Sequence, residues 1–148
     1  MKEFNLSKIK AAGTTVGDVY FPQTTLLLPF NGTNGATTTS DLSSKNNTVV
    51  FYGNAQLSTA QSKFGGSSLL LDGTGDYLQI ANQSYFDFST SDWTIECWFY
   101  LDSSTSGTYN TLLDMGNGSA SGAGPYWTAV KNDSGTYYIG AALDSTTA

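Results

Sequence analysis

From Thr24 to Leu143 the chain alternates short apolar runs with clusters of Gly, Asn, Asp, Ser and Thr. Runs of this length, bounded by turn residues, predict strands rather than helices, and their close spacing predicts a sandwich or barrel. TTLLLPF (24–30) predicts a strand ended, or confined to a sheet edge, by Pro29, because proline has no N–H to give a central ladder. TVVFY (48–52), β-branched and aromatic, predicts a second strand, and ATTTSDLSSKNN (36–47) between them reads as a polar loop. Within FGGSSLLLDGTGDYLQI (64–80), SSLLLD and DYLQI predict two strands joined as a hairpin by GTG, whose glycines accept the positive φ that tight turns need. Gly65 and Gly66 break the chain just before them.

WTIECWFYL (93–101) predicts the longest clean alternation. Trp93, Ile95, Cys97, Phe99 and Leu101 fall on one apolar face, expected to be core. Thr94, Glu96, Trp98 and Tyr100 fall on the other, which is either covered by a further layer or exposed in a groove. YNTLLDM (109–115), YWTAVK (126–131) and TYYIGAAL (136–143) continue as a meander with glycine-rich turns. No stretch has the length and period of a helix, although ANQSYFDF (81–88) has room for one short turn.

Composition supports the all-β expectation. Charged residues are only 12% of the chain, and its polarity comes from Ser, Thr, Asn and Gly, which disfavour long helices. With 148 residues, 39% of them hydrophobic, one domain with a real core is expected. Residues 1–23, with mixed Lys and Gly content, little alternation and Pro22 closing the segment, read as an arm or linker, and 24–148 as the domain. The net charge of −6, from a chain with no arginine, argues against nucleic acid as a partner, since phosphate contacts need a basic surface. Lys2, Lys8 and Lys10 cluster in the arm, where they suit an anchor on an acidic partner or a solvated terminus. The single cysteine, Cys97, permits no intrachain disulfide and is expected to be a buried, inert thiol. MKEFNLSKIKAAG lacks the apolar core of an export signal, and no run reaches the about 18 apolar residues of a membrane span.

Several chemistries are excluded by the residues themselves. Without histidine there is no Ser-His-Asp or Cys-His nucleophile and no His-containing zinc site. Glu3 and Glu96 are the only glutamates, and nothing selects an aspartate pair for glycoside hydrolysis, so no enzyme is expected. Calcium, which takes carboxylate and carbonyl oxygens, remains open as a cofactor: Asp72 and Asp76 bracket the GTG turn, and Asp114, Asn117 and Asp133 lie in later turns, where Asp and Asn are also ordinary turn formers. Flat aromatic faces suit sugars. Tyr126 and Trp127 follow the GSASGAGP loop and Tyr109 opens a strand, so these three are the carbohydrate-binding candidates, with core filling as the alternative.

The order LLLPFNGTNG, KFGGSSLLLDGTGDYLQI, FDFSTSDWTIECWFYLDSS and TLLDMGNG resembles the laminin-G-like, concanavalin A-like jelly-roll modules, in the variety found in structural and fibre proteins of tailed bacteriophages. The likeness covers residues 24 to about 142. It implies a two-sheet antiparallel jelly-roll sandwich whose concave face or rim loops bind carbohydrate or protein. The family pattern continues beyond TYYIGAALDSTTA with a Trp-His strand and an NG hairpin. Their absence implies either a longer protein or a neighbouring subunit that covers the open edge. The closely spaced carboxylates of the related glucanases are missing, which leaves Glu96 as a structural hydrogen-bonding residue. The expected function is a non-enzymatic virion protein, a capsid decoration or fibre component present in many copies among other virion proteins on the particle surface. A carbohydrate-binding adhesin for host glycans is the alternative, and a glycosidase a more distant one.

Overall fold

A computed structural model of the chain describes residues 18–81, 83–86, 92–102, 109–115, 126–134 and 136–143. The described residues form an all-β chain with seven strands in three small antiparallel sheets, and helix is limited to two short 3-10 turns, Phe21–Gln23 and Ser84–Phe86. The second is the short turn expected within 81–88. The chain divides into two compact units, Met1–Cys97 and Trp98–Ala148.

In the first unit β1 (Val49–Tyr52) pairs with β4 (Tyr77–Ile80), and β2 (Gln56–Ser58) pairs with β3 (Ser68–Leu70). β1 is the strand expected over 48–52. Its alternation is real: Val49 and Phe51 are half-buried opposite the half-buried Ile80 and Leu78, while Val50 and Tyr52 face outward with Gln79 and Tyr77. The cross-strand Tyr52–Tyr77 pair stacks with centroids 4.6 Å apart and rings 6° from parallel.

The expected hairpin across GTG is corrected here. Both strands form, but β3 and β4 do not pair with each other. β1 with β2, and β3 with β4, are the two arms of one bent hairpin whose tip lies between Ser58 and Ser68. Three residues join β1 to β2, but six, including DGTGD, join β3 to β4, so the GTG stretch is the bulged outer side of a corner. Gly73 and Gly75 do adopt positive φ, 85° and 76°. The corner's inner side needs Gly53, at φ 70°, where a Cβ would stand 2.3 Å from an Asp76 oxygen and 2.8 Å from the Gly75 carbonyl.

Residues 24–30 form no strand, a second correction. Their backbone is held by side chains of the 41–47 loop, by Leu42 N–H donating to the Leu27 carbonyl at 2.9 Å and by Ser67 Oγ donating to the Phe30 carbonyl at 2.7 Å. The following segment lies on β2: Gly35 N–H donates to the Leu57 carbonyl, and Leu57 N–H to the Ala36 carbonyl. Among the described residues Leu57 and Ala55 are the buried apolar residues of this unit, and Gly32 sits so close that a Cβ would lie 2.6 Å from Leu57 Cδ1.

The stretch 93–101 is the third correction. Residues 92–100 have no regular secondary structure and are exposed, Trp98 and Tyr100 most of all, and Cys97 is an exposed thiol rather than a buried one. Alternation selects a face only once a neighbouring strand takes up the backbone hydrogen bonds, and these residues join no strand among the described residues.

The second unit is the expected meander. β5 (Tyr109–Asp114), β6 (Tyr126–Asp133) and β7 (Thr136–Leu143) pair in that order, with an irregularity in β5 between Thr111 and Leu113. A tight turn joins Asp133 to Thr136, entered through Ser134 at φ 53°. Ala129 and Val130 on the central strand are almost fully buried, whereas Tyr137, Tyr138 and Ile139 on β7 are exposed.

Candidate functional site

The most ordered polar constellation is built on Asp41, inside a loop that its composition marks only as polar. Asp41 is 3% exposed and Ser43 7%. One Asp41 oxygen, Oδ1, accepts from the Leu27 and Ser43 N–H groups at 2.8 and 2.9 Å. The other, Oδ2, accepts from Ser43 Oγ, Asn47 N–H and Asn47 Nδ2 at 2.7 to 2.8 Å. Burial alone would raise the carboxyl's pKa, but the backbone N–H bonds from Asn47, Leu27 and Ser43, with the Ser43 hydroxyl, outweigh it and hold the group well below the usual carboxylate range. Asn47 Nδ2 also donates to the Thr25 carbonyl, which Ser43 Oγ approaches at 3.2 Å, so one short loop clamps the 25–27 backbone.

Asn47 carries this clamp outward. Its Oδ1 accepts from the Tyr85 hydroxyl, and the Lys45 ammonium stands 5.0 Å from the centre of the Tyr85 ring. Around these groups lies a recess of about 240 Å³. Lys45, Asn46, Thr48, Gln83 and Tyr85 supply its polar lining, Ile80 and Ala81 its apolar surface. Asn46 is held at φ 48°, a conformation that asparagine tolerates better than most residues. Among the described residues no carboxylate lines the recess and Lys45 makes no ion pair. Nothing in the sequence singled out Lys45 or Tyr85. The available signal was the Asp41, Ser43, Asn47 spacing, typical of side chains that bond their own turn.

The acidic candidates divide between the two units. Asp72 and Asp76 meet at the β3–β4 corner, where they organise backbone. Asp72 accepts from Asn54 Nδ2 and Thr74 N–H, and Asp76 from the Asn54 and Asp72 N–H groups, at 2.7 to 2.9 Å. The Asn54 amide, then Thr74 N–H, lower the Asp72 pKa. Asp114 belongs to the second unit, where it pairs in register with Trp127. Among the described residues no three His, Cys, Asp or Glu side chains group as metal ligands. Asp133 is engaged by Lys131 at 3.2 Å, and Asn117 lies outside the described residues.

Of the aromatic candidates, Tyr126 and Trp127 are neighbours at the start of β6, and Tyr109 is in register with Lys131, four residues along β6 from Trp127. That spacing separates Tyr109 from Trp127 by about 13 Å of strand. The side chains of these three lie outside the described residues, as do Lys2, Lys8 and Lys10. Glu96 is exposed in the irregular 92–100 stretch. Among the described residues no helix is long and apolar enough to cross a membrane. Comparison with protein-family models, with curated proteins and with solved structures found no match.

Proposed function

We propose that this chain is a non-enzymatic structural protein of a tailed-phage particle, a capsid decoration or fibre component present in many copies on the virion surface. The observation that carries the reading is the ordered likeness of LLLPFNGTNG, KFGGSSLLLDGTGDYLQI and FDFSTSDWTIECWFYLDSS to the phage laminin-G-like modules. The all-β architecture, built from small antiparallel sheets, is consistent with it. In this reading the body is a two-sheet jelly roll. Residues 1–23, with Lys2, Lys8 and Lys10, serve as the anchor to other virion proteins.

The test is a deletion of residues 1–20. Incorporation into particles is expected to be lost while the urea unfolding curve of the isolated protein is unchanged. Normal incorporation of the truncated chain would overturn the anchoring role.

A further inference from the structure

We infer that Asn31 is a site of spontaneous deamidation in the folded chain, and that its isoaspartyl product frees residues 30–32 from Ser67. The inference stands apart from the virion reading. Asparagine followed by glycine favours this chemistry, because glycine leaves the next backbone nitrogen unhindered and free to reach back. The Gly32 nitrogen loses its proton to base and bonds to the Asn31 side-chain carbonyl carbon. The bond from that carbon to the amide nitrogen breaks, ammonia leaves with a proton from solvent, and a succinimide remains. Water then opens the ring at either carbonyl, giving aspartate or isoaspartate.

Asn-Gly pairs occur at 31–32, 34–35 and 117–118, the last outside the described residues. The two described pairs are both exposed to water, but the fold holds them differently. Asn34 is locked twice. Its Oδ1 accepts from Thr59 N–H at 3.1 Å, and Gly35 N–H donates to the Leu57 carbonyl at 2.8 Å, with Leu57 N–H returned to the Ala36 carbonyl. For Gly35 to attack, the side chain must leave Thr59 and the backbone must leave β2. At Asn31 a single bond stands in the way, Gly32 N–H donating to Ser67 Oγ at 2.9 Å. Among the described residues no hydrogen bond holds the Asn31 carboxamide, which lies against Gly65. Opening one side-chain contact is a smaller excursion than opening a ladder, so Asn31 reacts first.

The product acts on the same latch. Ser67, 3% exposed, accepts from Gly32 N–H and donates to the Phe30 carbonyl at 2.7 Å, so its hydroxyl bridges the residues on either side of Asn31. Isoaspartate lengthens the main chain there by one carbon. The hydroxyl can no longer reach both partners, and Gly32, which sits against Leu57, shifts with them.

The experiment incubates the full chain in warm, mildly alkaline buffer, folded and in urea, and locates amide-to-acid conversion by peptide mass spectrometry with fragmentation between residues 31 and 34. In urea both sites should convert at similar rates. In the folded chain Asn31 should convert at least about tenfold faster than Asn34. Ser67→Ala should speed Asn31 about three- to tenfold, the worth of one hydrogen bond, and leave Asn34 unchanged. The isoaspartyl chain, separated from its parent, should unfold at lower urea. Should Ser67→Ala fail to fold, hydrogen exchange of the unaltered protein replaces it, with the Gly32 amide exchanging at least about tenfold faster than that of Gly35. Any one of four results would overturn the inference: Asn34 keeping pace with Asn31 in the folded chain, conversion confined to urea, equal acceleration of both sites by Ser67→Ala, or an unchanged midpoint in the isoaspartyl chain. Gly32 exchanging no faster than Gly35 would do the same.

Discussion

Asp41→Asn keeps the shape of the buried side chain and removes one acceptor oxygen together with the charge. With the amide oxygen in the Oδ2 position, Asn47 stays bonded, but the new NH2 faces the Leu27 and Ser43 N–H groups that Oδ1 now serves. In the opposite orientation the NH2 faces the Asn47 backbone and amide donors, and only Ser43 Oγ can turn to accept. Either way two N–H groups are stranded in a site where Asp41 is 3% exposed. A buried donor left unsatisfied costs about 1–3 kcal/mol, so two of them should destabilise the chain by about 2–6 kcal/mol. The assay is urea unfolding followed by tryptophan fluorescence, with the slope compared between variants to confirm that the midpoint reports stability. A loss under about 0.5 kcal/mol, the range of ordinary surface substitutions, would refute the clamp.

The same carboxylate sets a pH dependence: its folded pKa lies below the ordinary value of about 3.9, so its contribution is present above that value and is lost as pH falls through the folded pKa. Urea midpoints should therefore fall below about pH 4 in the wild type, and the gap to Asp41→Asn should shrink over the same window; a constant gap contradicts the assignment. Gly53→Ala, which combines φ 70° with a contact at 2.3 Å, should cost more than Gly66→Ala, where φ is 87° but no atom lies within 4 Å. Left-handed strain alone accounts for about 1–2 kcal/mol at Gly66, and equal losses in urea unfolding would contradict the close corner. Tyr77→Leu, which keeps apolar area but removes the stack on Tyr52, should cost about 0.5–1.5 kcal/mol by the same assay, and no loss would contradict the pairing register.

The strands were legible where composition and local pairing agree. TVVFY became β1, and the three C-terminal runs became one meander, because β-branched and aromatic residues between glycine-rich turns can find a partner next in sequence. The GTG turn shows where this stops. Glycine marks positive φ correctly, yet the pairing is decided by Gly53 and Asn54, about twenty residues away, which receive the Asp76 carboxylate. Asp41 was hidden for a related reason: its donors come from Leu27 as well as Ser43 and Asn47, and a loop rich in Ser and Asn does not announce which acid is buried. WTIECWFYL carries a strong strand pattern but joins no strand among the described residues, because periodicity describes one strand and pairing requires two.

The most direct test of the proposed function is quantitative mass spectrometry of density-banded virus particles from the chain's native source. The account predicts peptides of this chain, including GGSSLLLDGTGDYLQI, in the particle band at many copies per particle. Their confinement to the unbanded soluble fraction would contradict a structural role on the virion.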